Sequence, residues 1–226
     1  MNLLYAYHEN FHVYMENFEQ LILWIAILCV FGTIICHAYL SLLSKNFFYE
    51  LKVDDIKISR NFSIIDLQLP YKKSLFTEIL INVNSKTEKL VEKSLKIDSY
   101  FMPFAYGSIF FLTVFLFLKF KNPELANHSQ MSMILKCSFL LPLISYVADI
   151  LENHVTYKLI RKISILKQEK INNKDVEQKN SYKKKKLILR SRLKIFFFAA
   201  VKWLSVIYSI TLILLTTGYL IKLYFM

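Results

Sequence analysis

Hydrophobic positions along the chain are concentrated in four long runs. They cover Leu21–Leu43, Tyr100–Leu118, Met131–Leu151 and Ile195–Thr217. Each run is close to the ~20 residues that a helix needs to cross ~30 Å of hydrocarbon, whereas a membrane β-strand needs only ~10 alternating residues. We therefore expect an all-α polytopic membrane protein with four transmembrane helices, organised as a single membrane domain over residues 1–226.

The second and third runs depart from the simplest pattern. The second is only 19 residues long, and the third contains two charged residues, Lys136 and Asp149. A buried or interfacial helix is the alternative for the third run.

The first twenty residues contain no Lys or Arg, whereas a cleavable signal peptide begins with a basic region. We therefore expect the first run to remain as a transmembrane helix.

Lys and Arg are unevenly distributed among the segments between the runs. Connection 44–99 contains ten, connection 152–194 contains fourteen and connection 119–130 contains two. Because Lys and Arg are enriched in cytoplasmic loops, we expect both long connections to be cytoplasmic. Connection 119–130 is then an outer loop, and both termini are outside.

The long connections carry patterns typical of folded structure. Residues 53–70 alternate in patches and indicate a short extended element, while residues 74–83 have apolar side chains at helical spacing. Residues 85–101 are amphipathic and predict a helix running into the second span. Residues 155–167 predict a cytoplasmic extension of the third helix, and residues 171–186 are polar and expected to be mobile.

The formal net charge is +12, which raises nucleic acid as a partner. No recognition motif accompanies the cations, and they lie beside the predicted spans, where anionic lipid attracts them at about 1 kcal/mol each. We therefore expect bilayer lipid as the partner, through anionic head groups at the cytoplasmic face. The candidate head-group contacts are Lys183, Lys184, Lys185, Lys186, Arg190 and Arg192.

Acidic residues stand where the second and third runs meet the predicted cytoplasmic interface. Asp149 and Glu152 lie three residues apart and share a helical face with Asn153. Because a half-buried carboxylate needs a partner, Lys202 in the fourth run is the natural counter-ion. The predicted polar cluster comprises Asp98, Asp149, Glu152, Asn153 and Lys202, with His37, Tyr106 and Tyr146 at its edge.

Motifs for metal or nucleophilic chemistry are missing from the sequence. It contains no zinc-binding Cys/His spacing, no H-E-x-x-H and no G-x-S-x-G. Cys29, Cys36 and Cys137 all fall inside apolar runs without a C-x-x-C pair, which indicates packing. We therefore expect no metal site and no cofactor.

Three stretches occur together in a recognisable order: IDLQLPYKKSLFTEIL (65–80), LKIDSYFMPFAYGSIFF (95–111) and LPLISYVADILENH (141–154). The last two contain D-x-x-F-x-P-x-x-Y-G and P-x(6)-D-x-x-E-N. This pattern resembles a group of four-helix bacterial integral membrane proteins without an established activity. The resemblance implies a bacterial cytoplasmic membrane location and makes the polar cluster a shared feature, but it indicates no substrate.

Three functions fit this sequence. The leading hypothesis is a non-enzymatic membrane scaffold or assembly component, as a homo- or hetero-oligomer. The alternative is a lipid-acting hydrolase or transferase, with Asp98, Asp149 and Glu152 as candidate catalytic residues. The third is an oligomeric ion or solute pathway. An enzyme predicts carboxylates converging on a cavity, a scaffold predicts carboxylates paired with Lys202, and a pathway predicts polar residues along a whole helix face.

Overall fold

The computed structural model describes residues 2–53, 56–121, 129–168 and 176–225, with side chains for 14–51, 56–120, 130–168, 182–223 and 225. Most of the predicted outer loop, residues 122–128, lies outside the described residues. The elements in chain order are α1 Asn2–Ser44, β1 Phe48–Val53, β2 Ile56–Asn61, α2 Ile64–Gln68, α3 Lys73–Asn82, α4 Ser85–Lys121, α5 Ser129–Ser138, α6 Leu140–Gln168 and α7 Val176–Phe225.

Four helical segments are long and apolar enough to cross a membrane: Tyr14–Ser44, Ser85–Phe120, Gln130–Gln168 and Tyr182–Leu223. They contain the four predicted runs, so the prediction of an all-α protein with four such helices is confirmed. Only 11% of the most apolar window of the first segment is buried. An exposed apolar surface of this extent is typical of a protein that faces lipid.

The third segment is interrupted at Phe139, between α5 and α6. Proline lacks an amide hydrogen, and its ring clashes with the carbonyl four residues earlier. Pro142 therefore disrupts the helix at Ser138, but it is tolerated within the first turn of α6, where amides have no helical partner. The sequence prediction of one continuous helix over 131–151 missed this break.

The chain divides into two compact units. The first, which we call the helical unit, comprises residues 1–34, 102–146 and 204–226. The second, which we call the connection unit, comprises residues 35–101 and 147–203. Helices α1, α4, α6 and α7 contribute residues to both units. The single-domain assignment of residues 1–226 stays a prediction.

The connection unit contains an antiparallel hairpin, in which Phe48 pairs with Asn61 and Val53 pairs with Ile56. Every second side chain of β1 faces the core: Tyr49 is buried, and Leu51 packs against the core. All six side chains of β2 are exposed. The extended element predicted within 53–70 corresponds to β2, whereas β1 was not predicted.

Helix α3 packs into the core of the connection unit with helical periodicity, burying Phe76, Ile79 and Leu80. Helix α6 contributes Leu159 and Ile163 to the same core. The predicted helices over 74–83, 85–101 and 155–167 are all present. The stretch 171–186, expected to be mobile, belongs to α7 from Val176 onward.

Polar contacts fix the start of α4 within the connection unit. The side chain of Asn84 caps the helix by accepting a hydrogen bond from the Thr87 amide at 2.8 Å. Lys167, in the last turn of α6, lies 2.7 Å from Glu88 and donates to the Val83 carbonyl at 2.8 Å. These bonds hold the beginning of α4 against the end of α6.

The helical unit has a separate small core, formed by Leu116, Phe120, Leu135 and Leu220. Its helices also approach closely at Gly32, where an added Cβ would lie 2.6 Å from the ring of Phe104. A side chain at this position would therefore force the Phe104 ring to shift.

Candidate functional site

Asp98 lies on the buried face of α4 in the connection unit. Buried residues recur at helical spacing through Val91, Leu95 and Asp98. The carboxylate therefore continues an otherwise largely apolar stripe and is 9% exposed. A charge in such a position is retained only where hydrogen bonds or an ion pair compensate for lost hydration.

Helix α6 presents Asp149, Glu152 and Asn153 on its buried face. The helix continues to Gln168, so these residues lie in its interior. The carbonyl groups around them are consequently engaged in helical hydrogen bonds, and the repulsion expected at a helix C-terminus is weakened.

Lys202 of α7 reaches two of the carboxylates at once. Its Nζ lies 3.0 Å from Asp149 Oδ1 and 2.7 Å from Glu152 Oε2. Lys202 is 5% exposed and Glu152 is fully buried. One cation therefore connects α7 to two acids on α6. We call Asp149, Glu152 and Lys202 the ion triad.

Asp98 is held by amides. Its Oδ2 accepts hydrogen bonds from Asn153 Nδ2 at 2.6 Å and from Gln68 Nε2 at 3.1 Å. Gln68 also donates to Asn153 Oδ1 at 3.0 Å. Hydrogen bonds to a charged group are stronger than neutral ones, so these three side chains join α2, α4 and α6. We call them the amide set.

Glu152 is the least satisfied member of the ion triad. Its Oε2 forms an ion pair with the Lys202 ammonium at 2.7 Å. Among the described residues, Oε1 has no hydrogen-bond partner. An unpartnered buried oxygen costs about 1–3 kcal/mol, so this carboxylate is held less favourably than a fully bonded one would be.

His37, Tyr106 and Tyr146 were predicted at the edge of the cluster, and that placement stays a prediction. His37 is exposed, since the half-buried positions of α1 nearby are Cys36 and Leu40 and residue 37 points about 100° away from residue 36. Among the described residues, His37 makes no hydrogen bond or ion pair. Tyr106 and Tyr146 belong to the helical unit, where their rings pack edge to face at 6.1 Å.

The basic segment of α7 divides into exposed and anchored side chains. Lys183, Lys185, Lys186 and Arg190 are exposed, whereas Lys184 is half-buried. Arg192 is half-buried, and it donates from Nε and Nη2 to the carbonyls of Pro70 and Tyr71, both at 2.8 Å. Its guanidinium therefore fixes the loop that follows α2, in addition to any role at a lipid surface.

Gln68 is the one residue of these two groups that the sequence reasoning missed. Its signal was present in the D-L-Q stretch 66–68. Local hydrogen bonding explains its placement: Asp66 accepts from the Ser63 amide at 2.8 Å, as in a capping box, and so initiates the short helix α2. The side chain of Gln68, at the end of that helix, is thereby placed within hydrogen-bonding distance of Asp98.

The geometry places the carboxylates in contact with protein groups. Asp98, Asp149, Glu152 and Lys202 line none of the four cavities described for this part of the chain. Within the described residues, no group of three or more His, Cys, Asp or Glu side chains is arranged to hold a metal ion. These contacts neutralise the buried charges and join helices α2, α4, α6 and α7.

Comparison with protein families, curated proteins and solved structures finds no match to this chain. The resemblance to four-helix bacterial membrane proteins therefore stays a prediction. Of the motif residues that carry it, Asp98, Asp149, Glu152 and Asn153 belong to the ion triad or the amide set.

Proposed function

We propose that this protein is a non-enzymatic membrane scaffold or a component of a membrane assembly. Its location is the bacterial cytoplasmic membrane, with both termini outside and the long connections in the cytoplasm. The ten and fourteen cations of those connections, against two in connection 119–130, support this orientation. The partners are anionic lipid head groups at the cytoplasmic face, together with further protein chains.

The observation that carries the proposal is the pairing of the acids. Asp149 and Glu152 contact Lys202, and Asp98 contacts two amide groups. A general acid or base must reach a substrate atom within about 2.6–3.2 Å. Side chains already committed to internal partners serve better to hold helices in a fixed arrangement than to perform turnover.

The core of the connection unit supports the same function. Hairpin residues Phe47 and Phe62 stack at 5.5 Å and join the core that includes Phe76 and Ile163. The hairpin presents β2 with its side chains exposed, including Ile56 and Ile58. A strand with an open edge is a surface on which another chain adds by backbone hydrogen bonds.

The alternative function, a lipid-acting hydrolase or transferase that uses Asp98, Asp149 and Glu152, has one observation in its favour. Glu152 Oε1 is buried without a hydrogen-bond partner among the described residues. A proton or a substrate hydroxyl group would satisfy that oxygen.

The test has one arm for each function. Purified protein is reconstituted in liposomes of phosphatidylethanolamine, phosphatidylglycerol and cardiolipin, and the lipids are followed by mass spectrometry. We expect no lipid conversion. Time-dependent conversion that is lost in Asp149→Asn and Glu152→Gln variants, each verified to be folded under the assay conditions, would overturn the proposal.

The second arm uses a photo-crosslinking amino acid in cells. It replaces Ile58 of β2 or, as the control, Ile207, an exposed residue of the fourth apolar run. We expect a discrete protein adduct from position 58 and only lipid adducts from position 207. Failure to obtain a protein adduct at 58, or at further exposed positions of β2, would contradict a role in protein assembly through this strand.

A further inference from the structure

A groove of about 710 Å³ lies within the connection unit, between the first turns of α3 and the basic part of α7. This volume is within the ~300–1,000 Å³ typical of small-molecule sites. Ile188 and Leu189 form an apolar part of its lining, and the polar part includes Ser74 and Tyr182. The groove is separate from the ion triad and the amide set.

The charges of the groove are strongly one-sided. Among the described residues that line it, the cations are Lys73, Lys185, Lys186 and Arg192 and the carboxylate is Glu78, which gives a net charge of +3. Lys73, Lys185 and Lys186 are exposed. Together with the apolar lining, this complements a ligand that has an anionic head and an apolar body.

Arg192 lines the groove with a side chain that is held in place by hydrogen bonds. Two of its donors are bonded to the carbonyls of Pro70 and Tyr71, so the guanidinium is positioned before any ligand arrives. An arginine has five N–H donors, and preorganised donors lose less entropy on binding. By contrast, Lys183 and Arg190 lie on the same helix without lining the groove.

We propose that this groove binds the phosphate of an anionic glycerophospholipid, with the start of its acyl chains against Ile188 and Leu189. The source is the bilayer, because α7 continues from the groove into the fourth apolar run at Ile195. The proposal requires membrane insertion of the chain and is independent of whether the protein acts as a scaffold.

The test compares two triple variants of equal charge change in the full-length protein. The groove variant is Lys73→Gln/Lys185→Gln/Lys186→Gln. The control is Lys158→Gln/Arg161→Gln/Lys162→Gln, which changes exposed cations of α6 outside the groove. Each protein is released from phosphatidylcholine nanodiscs containing graded amounts of phosphatidylglycerol, and bound lipid is counted by native mass spectrometry.

We expect wild type and control to retain one phosphatidylglycerol per chain, and the groove variant to require at least about tenfold more of it, since each lysine near a phosphate contributes about 1 kcal/mol. A Glu78→Gln variant changes the charge of the groove in the opposite direction. Removing the repelling carboxylate is expected to strengthen retention by about fivefold, by the same relation, which a folding defect would not do.

Equal losses in the groove variant and the control would overturn the proposal in favour of a diffuse basic surface. Displacement of phosphatidylglycerol by millimolar inorganic phosphate would show a free-anion site instead of a lipid site. Unchanged or weaker retention in Glu78→Gln would also contradict it. Thermal unfolding of all the variants verifies that the comparison concerns folded protein.

Discussion

Replacing Lys202 with methionine removes the cation of the ion triad while preserving an apolar stem of similar length. In the structure, Lys202 Nζ lies 3.0 Å from Asp149 and 2.7 Å from Glu152, and both acids are buried. Removing one partner of a buried ion pair costs about 3–5 kcal/mol, because an uncompensated charge is left behind. Here two carboxylates lose their counter-ion, so we expect a loss in the free energy of unfolding at the upper end of that range.

Asp149→Asn is expected to lose less stability than Lys202→Met, and this order tests the geometry of the ion triad. In that variant Lys202 keeps its contact with Glu152 at 2.7 Å, so no charge is left unpaired. We expect a smaller loss, of about 1–3 kcal/mol, typical of a disrupted hydrogen bond in the interior. The matched control is Lys136→Met, which makes the same substitution at an exposed lysine of α5 and is expected to change stability by less than about 0.5 kcal/mol.

The assay is equilibrium unfolding in detergent micelles titrated with sodium dodecyl sulfate, followed by far-ultraviolet circular dichroism. The expected order of stability is control, then Asp149→Asn, then Lys202→Met. If Lys202→Met and Lys136→Met unfold at the same surfactant fraction, the ion triad does not stabilise the fold and the reasoning is refuted.

Three further predictions use the same unfolding assay. Gln68→Ala removes two hydrogen bonds of the amide set and should cost about 1–3 kcal/mol; wild-type stability would exclude the amide set as a link between helices. Ile163→Ala empties a core position that is 1% exposed and should cost about 2–5 kcal/mol, whereas Ile165→Ala, at 49% exposed, should cost less than about 1 kcal/mol; equal losses would contradict the assigned face of α6. Gly32→Ala places a Cβ 2.6 Å from an aromatic ring and should cost about 1–3 kcal/mol, whereas Gly218→Ala meets no atom within 4 Å and should be neutral or stabilising; the reverse order would show that the helical unit packs differently.

Periodicity along the chain was sufficient to predict most of the helices. The four apolar runs were predicted from their length and composition, whereas the helix at 74–83 and the continuation of α6 past residue 154 were predicted from spacings of three and four residues, which a helix imposes directly. The shared face of Asp149, Glu152 and Asn153 follows from the same geometry, whereas the choice of Lys202 as the counter-ion depends on the need of buried carboxylates for a partner.

The features that sequence reasoning missed depend on contacts between distant segments. Strand β1 is stabilised by its pairing with β2 and by the contact of Tyr49 with Val83, neither of which leaves a local pattern. Gln68 is defined as part of the amide set only by Asp98 and Asn153, 30 and 85 residues away. The break at Phe139 was different, since Pro142 was visible but lay within continuous apolar sequence.

We infer that Lys202 and the two acids of α6 act as one structural unit, and a thermodynamic cycle measures the coupling among them. The four proteins are wild type, Lys202→Met, Asp149→Leu/Glu152→Met and the variant with all three changes. Replacing a buried ion group completely by apolar residues is often neutral or stabilising by about 1–4 kcal/mol. We therefore predict that the triple variant is more stable than Lys202→Met alone. Losses that simply add, within about 0.5 kcal/mol, would contradict the claim.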